Sequence, residues 1–127
     1  FIPHLLQAGR YGLHRGYFAK VLPQTSRRLV YFLPSVLLLT IIIGGLFSIV
    51  SLSVKCQMLN VKCWTVVPAY FLLLTSYFLL LILNSYWVWR RCRRAKIAFW
   101  TIPAIFLTHF WYGFQFLRGL LSPSLKR

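Results

Sequence analysis

Three long apolar runs separated by short basic connections constrain this chain more than any other feature. They extend from about Leu29 to Val54, from about Trp64 to Trp89 and from about Ile97 to Leu121. A helix needs about 20 mainly apolar residues to cross roughly 30 Å of hydrocarbon, so each run is long enough to span with some tilt. Composition points the same way. Of 127 residues, 59% are hydrophobic and 18% aromatic, against about 45–50% apolar residues in soluble domains. The expected fold is an all-α membrane protein, with an N-terminal amphipathic interfacial helix followed by three transmembrane helices. Residues 1–28 would form the interfacial helix and a basic turn, 29–121 the membrane region and 122–127 a short basic tail.

The connections, Lys55 to Cys63 and Arg90 to Lys96, are short enough to make consecutive helices antiparallel neighbours. Five Lys and Arg precede the first run (Arg10, Arg15, Lys20, Arg27, Arg28) and five lie in the second loop (Arg90, Arg91, Arg93, Arg94, Lys96). The first loop has two (Lys55, Lys62) and the C-terminal end three (Arg118, Lys126, Arg127). The positive-inside rule then puts the N-terminus and second loop in the cytoplasm, and the first loop and C-terminus outside. Tyr86, Trp87 and Trp89 before the Arg cluster, with Phe99 and Trp100 after it, form aromatic belts at that boundary.

The 15 Lys and Arg face no Asp or Glu, a formal net charge of +15. This chain therefore offers no carboxylate as metal ligand, general base or intramembrane proton relay. Because the cations flank apolar spans, anionic lipid headgroups rather than nucleic acid are the expected partner. The tract Arg90-Arg91-Cys92-Arg93-Arg94 is read as a topology determinant and phospholipid contact, with Cys92 a thiol. The first residue is Phe1, without the apolar stretch of a signal peptide, so the chain reads as a fragment or processed piece.

Residues 1 to about 20 are too polar to span, yet Ile2, Leu5, Leu6, Gly9 and Leu13 share one helical face and Gln7, Arg10, Tyr11 and His14 another. This predicts a helix lying in the cytoplasmic interface. Within it, Gln7-Ala8-Gly9-Arg10-Tyr11 is a Gln-x-x-Arg-aromatic pattern. An amide, a guanidinium fork and an aromatic face together can grip a sugar ring and a phosphate.

These features resemble the C-terminal membrane region of bacterial family 2 glycosyltransferases, in which a catalytic domain ends in a Gln-x-x-Arg-Trp/Tyr helix followed by membrane helices. The resemblance covers Gln7 to Gly12, Arg15, the basic turn with Pro23, Arg27 and Arg28, and Leu33-Pro34. It resumes at His109-Phe110-Trp111-Tyr112-Gly113-Phe114-Gln115-Phe116-Leu117-Arg118-Gly119-Leu120, similar to a His-x-x-Tyr-Gly-x-Gly-Phe-x-x-Gly stretch of the last helix. Tyr11 stands where processive synthases usually have Trp, and Gln115 where Gly is expected. The resemblance implies that Gln7, Arg10 and Tyr11 contact the acceptor or the donor pyrophosphate. It also implies a bacterial inner-membrane location and a divalent metal only in a separate nucleotide-sugar domain.

His109, Tyr112 and Gln115, with Gly119 on nearly the same face, form a polar stripe that must face other helices or a cavity. Interhelical hydrogen bonding, contact with a lipid-linked acceptor and axial ligation of a tetrapyrrole are its three readings. Cys56 and Cys63 share the external loop, where a disulfide is permitted. No zinc-site spacing is present. Gly44 and Gly45 in the first run are expected to admit a close neighbour, so that Gly45→Leu would weaken helix packing.

The functional expectation is the membrane-anchoring, acceptor-side part of an inverting glycosyltransferase that moves sugar from a nucleotide donor to a lipid or polysaccharide acceptor. It has no catalytic residue or cofactor of its own, and its partners are membrane lipids and a catalytic domain. The competing expectation is a non-catalytic accessory transmembrane subunit of a larger membrane complex, contacting lipid or pigment. A small transporter fits worst, because the spans carry no central charges and the chain no repeat.

Overall fold

The computed structural model describes residues 1–53 and 63–124. Those residues are helical nearly throughout: α1 (Ile2–Val21), the single turn α2 (Pro23–Ser26), α3 (Leu29–Ser53), α4 (Cys63–Cys92) and α5 (Ala95–Leu121). Three of these helices are long and apolar enough to cross a membrane, over Leu29–Val50, Pro68–Cys92 and Ala95–Leu121. The chain is thus an integral membrane protein of the expected class. Pro34, Pro68 and Pro103 lie inside α3, α4 and α5. Pro68 lies beyond the first turn of α4, which starts at Cys63, so its ring removes an i→i−4 bond.

The surface has the polarity that hydrocarbon requires. Leu29, Leu72, Trp87 and Leu121 are each at least 73% exposed, and lipid chains would cover them at no cost. Several hydroxyls in the spans are tied back to their own helix. Thr75 donates to the Phe71 carbonyl at 2.7 Å, Thr108 to Ala104 at 2.8 Å and Ser48 to Gly44 at 2.7 Å. In lipid such back-bonding satisfies donors that water cannot reach.

Two compact units make up the fold, one from residues 1–38 with the described residues from 103 onward, the other from the described residues of 39–102. In the first unit α1 buries Gly9, Gly12, Gly16 and Ala19. A Cβ on Gly12 would lie 2.6 Å from the Tyr112 carbonyl oxygen, and one on Gly16 would overlap that of Phe116. Gly119 reciprocates against the Leu13 carbonyl, and Gly113 meets the Pro34 carbonyl and Ser35 Cα. The backbones therefore touch where only glycine permits it. The stripe of α1 that packs on protein is the small-residue one, whereas Ile2 and Leu6 of the apolar face are exposed, as a lipid-facing side would be. Phe116, fully buried, meets Phe32 edge-on at 4.8 Å between ring centroids.

The α1–α5 contacts rise together in number, from Gly9 with Trp111 through Gly16 with Phe116 to the Lys20 ammonium donating to the Ser122 carbonyl. The helices run parallel over that length, and their C-terminal ends meet. Leu22 ends α1 before Pro23, as a residue preceding proline favours. Arg27 Nε donates to the Ala19 carbonyl at 3.3 Å near that end.

The described residues of the second unit meet through side chains. Gly44 of α3 lies against the Tyr70 ring, and Ser85 Oγ of α4 donates to the Ala98 carbonyl of α5 at 2.6 Å. Gly45 has more room: a Cβ there would lie 3.7 Å from the Tyr70 hydroxyl, ordinary contact. Gly44, not Gly45, is the close-approach position. The link between α4 and α5 is only Arg93 and Arg94, tighter than the expected 90–96 loop. Arg93 adopts φ 55°, and its N–H closes on the Trp89 carbonyl at 2.8 Å.

Candidate functional site

The residues His4, Gln7, Ala8, Tyr11 and Arg15 recur at spacings of three and four, so they form one stripe along α1. With Val30 and Tyr31 at the start of α3, and Tyr112 of α5, they line an open groove of about 490 Å³ inside the first unit. The glycine contacts create it, because they fix α1 against α5 at backbone distance and leave the adjoining stripe facing the start of α3. Gln7 and Tyr11 from the Gln-x-x-Arg-aromatic pattern are therefore brought together here.

Arg10 is not among the groove residues. At about 100° per residue it lies on the side of Gln7 away from Tyr11, Ala8 and Arg15, at the margin of their stripe, and it is exposed. The cation of the groove is Arg15, four residues beyond Tyr11, whose guanidinium carbon lies 4.4 Å from the Tyr31 ring centroid. Stacking on that ring holds the planar fork while leaving its edge N–H groups available. The i, i+4, i+8 series Gln7, Tyr11, Arg15 was the signal in the sequence. Val30 belongs here too, and its carbonyl is the one that loses its i+4 donor to Pro34.

The expected stripe on α5 is divided between roles. Tyr112 lines the groove, and Gly119 abuts the Leu13 backbone. Gln115 Oε1 is enclosed without a hydrogen-bond partner among the described residues. His109 is half-buried and lies outside the groove lining. Ser35 of α3 bonds to α5 here, its Oγ donating to the Gly113 carbonyl at 3.3 Å.

At the α4–α5 turn, Arg90, Arg91, Arg93 and Arg94 are all exposed, as is Lys96. Arg90 donates to the Tyr86 hydroxyl at 3.3 Å. Cys92 is an exposed free thiol. The proposed pairing of Cys56 with Cys63 lies outside the described residues, since Cys56 and the Cys63 side chain are not described. Among the described residues no group of three His or Cys is arranged to hold a metal ion.

Chemically, the groove can bind but has few means to react. Three tyrosine rings can cover the C–H faces of a sugar, the Gln7 amide can both donate and accept, and Arg15 can take a phosphate through two parallel bonds. Compared with known protein families, characterised proteins and solved structures, the chain matches none.

Proposed function

We propose that this chain is the membrane-anchoring, acceptor-side portion of a family 2 glycosyltransferase, which passes sugar from a nucleotide donor to a lipid or polysaccharide acceptor. One observation carries the reading. The two stretches that resemble the family, Gln7 to Gly12 and His109 to Leu120, come from opposite ends of the sequence and pack together, with Gly12 on Tyr112 and Gly119 on Leu13. Their shared glycines thereby acquire a physical reason, and Gln7, Tyr11 and Tyr112 meet in one groove.

In this reading Gln7 and Tyr11 hold the acceptor and Arg15 its anionic group. Arg10, at the margin of the groove stripe, is left for the donor pyrophosphate. The chain has no Asp or Glu, so the base and the divalent metal come from a nucleotide-sugar domain outside these residues.

The test is sugar transfer in membranes, from labelled nucleotide sugars, by the protein together with its nucleotide-sugar domain. Arg15→Ala should lower transfer at least tenfold, the order expected when a hydrogen-bonded charge loses its partner. Arg15→Lys should fall nearly as far, because a point charge cannot replace the fork. Transfer at the wild-type rate by both variants, at equal membrane abundance, would remove the reading. An accessory subunit with lipid-covered aromatic faces would then take its place.

A further inference from the structure

We infer that the α4–α5 turn is a built binding site for one anionic phospholipid, independent of the glycosyltransferase reading. The first premise is charge. Arg90, Arg91, Arg93, Arg94 and Lys96 lie exposed within seven consecutive residues, and the chain has no Asp or Glu to balance them. Their counter-charge must come from another molecule.

The second premise is shape. Because Ser85 Oγ reaches the Ala98 carbonyl at 2.6 Å, α4 and α5 are clamped one turn away from the Arg pair. The small side chains of Ala95 and Ala98 leave the space between them open. The result is a cleft of about 400 Å³ walled by Tyr86, Trp89 and Phe99, in the same unit as the turn. Arg90 bonds the hydroxyl of the wall residue Tyr86 at 3.3 Å, which fixes a guanidinium at the cleft. The backbone N–H groups at the start of α5 add a favourable field for an anion there.

A phosphate at the guanidinium groups with an acyl chain along the aromatic walls satisfies both premises. A free anion uses only the first and a neutral lipid only the second. The ring belt of Tyr86, Trp89 and Phe99 belongs at headgroup depth, where a phospholipid presents the two parts in that order.

The experiment uses the full chain in a mild detergent and counts lipid adducts by native mass spectrometry as phosphatidylglycerol or chain-matched phosphatidylcholine is added. Expected is one saturable phosphatidylglycerol at concentrations where phosphatidylcholine leaves the chain bare. Arg90→Gln with Arg94→Gln, both surface changes, should weaken that adduct by about fivefold per charge removed. Ala95→Leu keeps every cation but fills the cleft, and should abolish the saturable adduct while leaving circular dichroism unchanged. Three results each overturn the proposal: equal binding of the two lipids, undiminished phosphatidylglycerol binding by Ala95→Leu, or displacement of the lipid by inorganic phosphate alone.

Discussion

The two compact units bring helices together with different materials. In the first, glycine on α1 meets the backbone of α5, glycine on α5 meets those of α1 and α3, and the contact is main chain against main chain. Among the described residues of the second, the Tyr70 ring lies against Gly44 and the Ser85 hydroxyl bridges α4 to α5. Backbone cannot move aside for a new side chain, whereas a tyrosine ring can turn. The first unit is thus rigid enough to hold the groove residues in register, while the second tolerates change and leaves a cleft beside its charged turn.

Glycine substitutions should separate the units most widely. Gly16→Leu must push α1 off α5, because a single added carbon already overlaps the Phe116 carbonyl. The cost should reach or exceed the upper end of overpacking penalties, about 3 kcal/mol. Gly44→Leu displaces the Tyr70 ring and should cost about 1–3 kcal/mol, and Gly45→Leu should stay within about 0.5 kcal/mol, like other open positions. Thermal melting of the three variants in one detergent measures the order. If Gly16→Leu melts with Gly45→Leu, the close contact of α1 with α5 is wrong.

A second test bears on the first unit alone. The Lys20 ammonium reaches the Ser122 carbonyl, so cysteines placed at residues 20 and 122 should report the same side of the membrane. Cysteine-labelling with an impermeant reagent in intact cells should therefore give matching results for Lys20→Cys and Ser122→Cys. Opposite labelling would break the parallel packing and restore a C-terminus on the far face.

The sequence was readable where hydrocarbon dictates composition. Span number follows from the transfer free energies of side chains, and the three spans reappear with shifts of only a few residues at the helix ends. The packing faces were not readable by the same rule. In water the apolar stripe of a helix is buried, but in lipid apolarity is no guide and closeness of approach decides, so Gly9, Gly12 and Gly16 are buried while Ile2 and Leu6 are exposed. Adjacent Gly44 and Gly45 differ by 100° around α3, and only the partner Tyr70 distinguishes them. Arg15 was passed over for Arg10 because the family pattern names the latter, although helical spacing already aligned Arg15 with Gln7 and Tyr11.

A local effect concerns the turn itself. Arg93 holds φ 55° between α4 and α5, a left-handed conformation in which a Cβ crowds the following carbonyl at a cost of about 1–2 kcal/mol. Glycine is the residue that ordinarily ends a helix this way. Its N–H bond to the Trp89 carbonyl is a backbone bond, so any residue can make it. Arg93→Gly and Arg93→Ala delete the same charge and the same side-chain contacts with headgroups. The difference between them therefore isolates the backbone. Arg93→Gly should be the more stable by about 1 kcal/mol, read as the higher midpoint when the two are melted side by side in one detergent at one ionic strength. The matched charge removes lipid binding from the comparison. An equal or higher midpoint for Arg93→Ala would mean that the turn is not left-handed at Arg93, and the two-residue link that places the Arg groups at the cleft would have to be redrawn.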